Sequence, residues 1–268
     1  MESQPIIGLN MSVLEQEGAD VLRVHLDYPD AVADAGGRPI LLPPAEDPAF
    51  LREVLPMLDG VLFIGGADYD PGHYGGHRQP PEELVAPRRD RFDLELARRV
   101  LEDTDLPVLG ICGGCQLLWI ACGGGLVQDI RTEWAVPGGG PPLPHTGKDR
   151  TGIDPGPYRH DVLLTPNSLA AAGVGNPSGN RVETNSFHHQ AADPARPARR
   201  LIVSGKSEDG IVEAVEPGPD TDWERSGRFV LGVQWHPERM RDEEPQRRLF
   251  EALVAAARIR KARARGGR

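Results

Sequence analysis

The sequence predicts an α/β fold: a mostly parallel central sheet flanked by helices, with an antiparallel extension in the second half. Three observations predict it. The first half alternates short apolar runs with helical periodicity, an order that places parallel strands side by side through right-handed crossovers. The second half carries short strand-like runs with little helix between them, the mark of mixed or antiparallel pairing. No linker-like stretch divides the 268 residues, so residues 1–268 read as one domain.

The elements follow in order. Pro5–Asn10 and Arg38–Leu42 are apolar strands. Between them Pro29–Ala35 reads as helix, with proline near its start and Gly36-Gly37 as its stop. Gly60–Ile64 is a buried strand that runs straight into Gly65-Gly66. Asp90–Glu102 sets Phe92, Leu96, Ala97, Val100 and Leu101 on one face at helical spacing. Pro107–Ile111 is the next buried strand. Val162–Leu164, Val182–Thr184, Leu201–Ser204, Ile211–Val215 and Phe229–Gln234 are the short strands of the second half, and a closing helix begins near Glu243. No internal repeat is visible.

Composition excludes several classes. Lys+Arg 30 against Asp+Glu 40 leaves a net charge of -10, which argues against a general nucleic-acid binder. No apolar run approaches the roughly 20 residues of a membrane helix, and the N-terminus lacks the basic and apolar regions of a secretory leader. Three cysteines do not make a disulfide framework. A soluble, cytoplasmic, catalytic protein is the expectation. Val136–Pro157, rich in glycine and proline and almost without apolar periodicity, reads as a long surface loop, either a lid or an insertion. The terminal stretch from Arg258 to Arg268 carries six basic residues and no acid. It reads as a solvated helix end fraying into disorder, with a binding tail as the alternative.

The most informative stretch is Leu106–Asp129. A hydrophobic strand ends at Gly110-Ile111, Cys112 follows, and Gly113-Gly114 opens a helix carrying Leu117, Leu118, Ile120 and Ala121. This is the strand–nucleophile–helix elbow with sulfur in place of oxygen: small neighbours permit the sharp turn that projects the nucleophile. The helix N-terminus favours the thiolate, and the Gly113 N–H points where an oxyanion would form. A thiol nucleophile needs a base and an orienter. His236-Pro237-Glu238 offers both, two residues apart at a strand end, so that the carboxylate can fix the imidazole tautomer. A third cluster is Thr184–Gln190, where adjacent His188 and His189 cannot both face one site from an extended chain. Two alternatives stay open. Cys112 and Cys115 form a Cys-x-x-Cys redox spacing, and the same pair with a histidine could hold zinc, though coordination would spoil Cys112 as a nucleophile.

Taken together these residues resemble the class I glutamine amidotransferases, specifically the hydrolase branch that contains gamma-glutamyl-GABA hydrolase. The resemblance runs over nearly the whole chain, through Ala35–Pro39, Leu62–Asp68 with Pro71 and Tyr74, and Arg89-Asp90-x-Phe92. It continues through Leu106–Gln116, Gly124–Asp129, Asn185–Gln190, Asp209–Glu216 and Gly232–Glu238. It implies a flavodoxin-like sheet. It implies Cys112 as nucleophile, His236 as general base and then acid, and Glu238 as orienter. Gly66, or its neighbour Gly65, would supply the second oxyanion donor beside Gly113. Gln116 and His188, with Ser186 and His189 from the same cluster, would serve the glutamyl part of a small γ-glutamyl amide. No metal or organic cofactor is needed for any step, and a homodimer is the default assembly. One departure bears on substrate: the branch usually carries Arg where this chain has Gly113, and Met is common where it has Cys115. A backbone donor survives, but a guanidinium is lost. The rival functions are a glutaminase subunit passing ammonia to a separate synthetase, and a redox or non-catalytic binding protein.

Overall fold

The computed structural model describes residues 3–47, 49–78, 83–146 and 158–266. Strand β1 (Ile6–Asn10) is followed by a hairpin of β2 (Ser12–Gln16) and β3 (Ala19–Arg23), then α1 (Asp27–Asp34) and β4 (Arg38–Leu42). Next come α2 (Ala49–Val54), β5 (Gly60–Phe63), α3 (Pro87–Asp103), β6 (Val108–Ile111), α4 (Gly113–Ala121), β7 (Leu126–Val127) and α5 (Ile130–Glu133). The second half adds β8 (Tyr158–Leu164), α6 (Leu169–Gly173), β9 (Arg181–Ser186), β10 (Ala191–Ala192), β11 (Leu201–Ser207), β12 (Val212–Pro217), α7 (Asp222–Arg225), β13 (Val230–Val233) and α8 (Glu244–Gly266).

Nine strands form one sheet in the order β4-β1-β5-β6-β13-β12-β11-β8-β9. The first five run parallel and the remaining pairings are antiparallel, which is the predicted mixture of parallel core and antiparallel extension. Parallel strands covered on both faces read as continuous apolar runs. Here Val61 and Phe63 face one core with α3 and α4, while Leu62 and Ile64 face the other with α1, α6 and α8. The period-2 alternation of side chains does the sorting.

Several boundaries differ from expectation. The β2–β3 hairpin, unforeseen because its apolar residues do not alternate with its polar ones and only Val13 is buried, turns on Glu17 and Gly18, both at positive φ (53° and 78°), the conformation that tight hairpins favour. The helix expected over Asp90–Glu102 starts at Pro87, where proline's missing N–H costs nothing. Of the basic terminus, the described residues continue α8 to Gly266. Three of its cations find acceptors on the body, Arg258 on the Gly36 carbonyl, Arg260 on Asp105 and the Leu58 carbonyl, and Lys261 on Asp59 and the Gln4 carbonyl. Of the glycine/proline-rich loop, 147–157 lie outside the described residues. The part before them is not all surface, since His145 is buried against Asp209. No described helix is long and apolar enough to cross a membrane.

Candidate active site

Cys112 stands between β6 and α4 with φ 52°, a left-handed conformation that costs a non-glycine residue on the order of 1–3 kcal/mol. The surroundings enforce it. The Cys112 N–H donates to the Val233 carbonyl at 2.8 Å. A Cβ on Gly114 would lie 2.2 Å from the Phe63 carbonyl oxygen, and one on Gly110 2.6 Å from that of Gly114. Only bare Cα atoms let β5, β6 and α4 approach this closely, which is the physical content of the flanking glycines.

His236 is not on a strand end, as the spacing suggested, but three residues beyond β13, at the entry to a single 3-10 turn over Pro237–Met240. Asn185 pins its backbone from both sides, accepting the His236 N–H at 2.8 Å and donating to its carbonyl at 2.9 Å. The turn brings the Glu238 carboxylate to 2.6 Å from His236 Nδ1. The Cys112 sulfur faces the same ring closely enough to act on its ionisation. Burial alone would lower the imidazole's pKa, but the Glu238 charge and then the Cys112 sulfur outweigh it and push it up to about 10. Three groups converge where Gly65 has no side chain: a Cβ there would sit 3.0 Å from the His236 ring, 3.0 Å from the Tyr28 hydroxyl and 3.4 Å from Cys112 Cβ.

The Gly65–Gly66 segment has a fixed orientation. The Gly65 N–H donates to the Tyr28 hydroxyl at 3.1 Å. Arg89, itself buried, donates through Nη2 to the Gly65 carbonyl at 3.1 Å, through Nη1 to Ser12 Oγ at 2.8 Å and through Nε to Asp93 at 2.9 Å. Carbonyl and N–H point opposite ways across a trans peptide, so anchoring the Gly65 oxygen on Arg89 turns the Gly66 N–H away from it. A Cβ on Gly113 would lie 3.2 Å from the Gly66 nitrogen. The Gly66 nitrogen therefore lies against Gly113, the residue after Cys112, whose N–H belongs to the first turn of α4, where the helix itself supplies no acceptor. Between the two candidates read from sequence, Gly65 is occupied by Tyr28 and Gly66 is free of partners among the described residues.

Above these groups opens a cavity of about 560 Å³, lined among others by Arg23, Tyr28, Asp68, Cys112, His189, His236 and Arg239. The remaining predicted residues divide. His189 lines the cavity, its Nε2 at 2.9 Å from Asp68. His188 turns inward instead, its Nδ1 bonded to the Gln190 carbonyl at 3.0 Å, and burial lowers its pKa. Ser186 donates to the His145 carbonyl at 2.8 Å, away from the cavity. Gln116 lies behind the nucleophile: its amide donates to the Gln190 carbonyl at 3.0 Å and reaches Gln234, whose Nε2 stands 3.6 Å from the Cys112 sulfur. Of the residues read from sequence for the glutamyl part, His188, Ser186 and Gln116 do not line this cavity, and their side chains bond to interior partners. The inward side of β9 and α4 is committed to interior contacts.

The alternatives from sequence fare differently. Cys115 is buried beside Gly232 in the core, and burial holds its thiol well above the usual cysteine range, which suits an inert packing residue rather than half of a redox pair. Cys112, Cys115 and a histidine do not gather as a cation site among the described residues. Sequence reasoning missed Tyr28, Asn185 and Arg89 as site residues. Asn185 and Arg89 lay inside the quoted motifs, whereas Tyr28 carried no local signal.

The family model "Peptidase C26" matches residues 5–238. The Mycobacterium tuberculosis protein named "Putative glutamine amidotransferase" is 35% identical over 261 residues, 95% of this chain and 75% of that protein. The "Gamma-glutamyl-gamma-aminobutyrate hydrolase PuuD" of Escherichia coli is 31% identical over 259 residues, 95% of this chain and 94% of that one. Among solved structures, a Thermoplasma acidophilum protein described as "a putative gmp synthase subunit a" shares the fold with TM-score 0.63 at 14% identity, over 99% of this chain and 100% of that chain.

Proposed function

The chain belongs to the peptidase C26 family, and from that premise we propose that it is a cysteine hydrolase cleaving the γ-glutamyl amide bond of a small γ-glutamyl-amine to glutamate and the amine. The observation that carries the reading is the convergence of Cys112 and His236 on one cavity floor, with Glu238 buried behind the His236 ring and the Gly66 and Gly113 backbones against each other next to Cys112.

The Cys112 thiolate attacks the γ-carbonyl carbon, forming the C–S bond and moving the carbonyl electron pair onto oxygen. The Gly66 and Gly113 N–H groups receive that oxyanion, each donor typically worth about 3–4 kcal/mol in the transition state. As the C–N bond breaks, protonated His236 gives its proton to the leaving amine. A water then yields a proton to His236 and attacks the thioester carbon; the C–S bond breaks, releasing glutamate and restoring the Cys112 thiolate beside protonated His236. Glu238 keeps the ring oriented and favours its charged form. No step calls for a metal or organic cofactor, and three free thiols among the described residues suit the reducing cytoplasm.

The amine half is expected to resemble γ-aminobutyrate in size and charge. Without the usual arginine at position 113, the guanidinium groups lining the cavity are those of Arg23, Arg89 and Arg239; Arg89 is committed to Asp93, Ser12 and the Gly65 carbonyl, while Arg23 and Arg239, the latter stacked 4.6 Å over the Phe187 ring, are left to meet a ligand. They suit a ligand carrying carboxylates. The test is a panel of γ-glutamyl amides with and without acidic amine halves, read as glutamate release against a Cys112→Ala control. Turnover abolished in the variant and strongest for acidic amines is expected. Glutamate release that survives Cys112→Ala, or ammonia release from glutamine only when a synthetase is added, would overturn the reading.

A further inference from the structure

Behind the cavity, three histidines gather on one carboxylate that the proposed reaction does not use. Glu213 on β12 is fully buried. Its Oε1 stands 3.0 Å from His160 Nε2 on β8, 3.4 Å from His145 Nδ1 in the segment before β8, and 3.5 Å from His188 Nε2 just past β9. Side-chain ligand atoms of His145, His160 and Glu213 all lie within 4.8 Å of one another.

Hydrogen bonding alone does not satisfy this cluster. His188 Nδ1 is 3.0 Å from the Gln190 carbonyl, which can only accept, so in the neutral ring that nitrogen carries the proton. His188 Nε2 then presents a lone pair to a carboxylate oxygen, acceptor against acceptor. That nitrogen has no hydrogen-bond partner, and neither does Glu213 Oε2. His145 has a related arrangement: its Nε2 is held by Asp209 at 3.1 Å, and its Nδ1 faces Glu213 at 3.4 Å with Ser186 Oγ beside it at 3.3 Å. A backbone carbonyl or carboxylate on the outer ring nitrogen, with the inner one turned to a shared point, is how ligating histidines are oriented.

We propose that His145, His160, His188 and Glu213 form a structural site for a zinc-class divalent ion. Three imidazoles and one carboxylate are a borderline N/O donor set that suits zinc. Tetrahedral ligands bonded at about 2.0–2.1 Å lie roughly 3.3–3.4 Å apart, and the three nitrogen–oxygen separations bracket that spacing. The ion ties together four segments distant in sequence. It also braces the floor of the cavity, because the Gln190 carbonyl that orients His188 also receives the Gln116 amide behind Cys112. The site shares no ligand with the proposed hydrolytic machinery and does not rest on that reading.

Full-length protein is stripped with a chelator, then titrated with Co²⁺ and, separately, Zn²⁺, reading metal content, visible absorption and melting temperature. One equivalent is expected to bind, to raise the melting temperature, and to give cobalt d–d bands of tetrahedral intensity without a thiolate-to-cobalt charge-transfer band. His160→Asn is expected to weaken binding at least ~10-fold. No stoichiometric uptake, a thiolate band placing the ion on a cysteine, or unchanged affinity in a folded His160→Asn variant would each overturn the site. Should that variant fail to fold, the wild-type cobalt spectrum decides alone. Because uptake is read without substrate, failure of the hydrolase reading leaves the outcome intact.

Discussion

Arg89→Lys isolates the orientation of the Gly65–Gly66 peptide. Lysine keeps the positive charge beside Asp93, avoiding an unpaired buried carboxylate, whose exposure to solvent-free surroundings would itself cost about 3–5 kcal/mol. What the ammonium cannot do is span Asp93, Ser12 and the Gly65 carbonyl together, as the guanidinium does through Nε, Nη1 and Nη2. The contact to the Gly65 oxygen is a hydrogen bond from a charged donor, worth roughly 1.5–3 kcal/mol. Losing it removes that much bias on the direction of the Gly66 N–H. At 1.4 kcal/mol per factor of ten, kcat for γ-glutamyl amide hydrolysis should fall by about 10- to 100-fold, short of the roughly 10²–10³ that complete loss of an oxyanion donor brings. KM should change little, because the donor acts on the transition state. Steady-state glutamate release measures it, with circular dichroism to establish folding. Ser12→Ala, which loses only the Nη1 contact, serves as the control and should stay near wild type. A folded Arg89→Lys enzyme with kcat within twofold of wild type would refute the argument.

Other outcomes follow from the same contacts. The His236 pKa lies above its unfolded value near 6.5, raised to about 10 in spite of burial. Its pairing therefore stabilises the fold fully below about pH 6.5 and fades as pH rises toward 10. Denaturation midpoints measured across that window should slope downward, and Glu238→Gln should flatten the slope; equal slopes would contradict the assignment. Gly114→Ala should cost about 3 kcal/mol or more, since its methyl meets a backbone carbonyl, whereas Gly113→Ala should fold with a much smaller loss; similar melting temperatures for the two would refute the packing argument. Tyr28→Phe leaves the Gly65 N–H buried without its acceptor, a loss of roughly 1–3 kcal/mol readable as a lower melting temperature together with a reduced kcat. Truncation after Ala257 removes the terminal cations that hold Gly36, Leu58, Asp59 and Gln4, and a melting temperature unchanged by it would show those contacts to be idle.

What could be read from the chain was what neighbouring residues decide together. The apolar runs at Ile6–Asn10, Gly60–Phe63 and Val108–Ile111, buried on both faces, announce parallel strands because period-2 burial on two sides leaves no polar face. The glycines around Cys112 announce the elbow because only missing Cβ atoms permit its close approaches. The pairing of His236 with Glu238 was likewise legible from a spacing of two, although the backbone that realises it is a turn and not a strand. Tertiary structure decided everything that depends on distant segments meeting. It placed Tyr28 on the Gly65 N–H and Arg89 on the Gly65 carbonyl. It turned His188 inward and left His189 at the cavity. It folded the basic terminus onto carbonyls of the N-terminal half, and it drew His145, His160 and His188 from three segments onto Glu213. Local sequence encodes which backbone shapes are possible, whereas the direction of a side chain in a packed interior is set by partners 24 to 222 positions away.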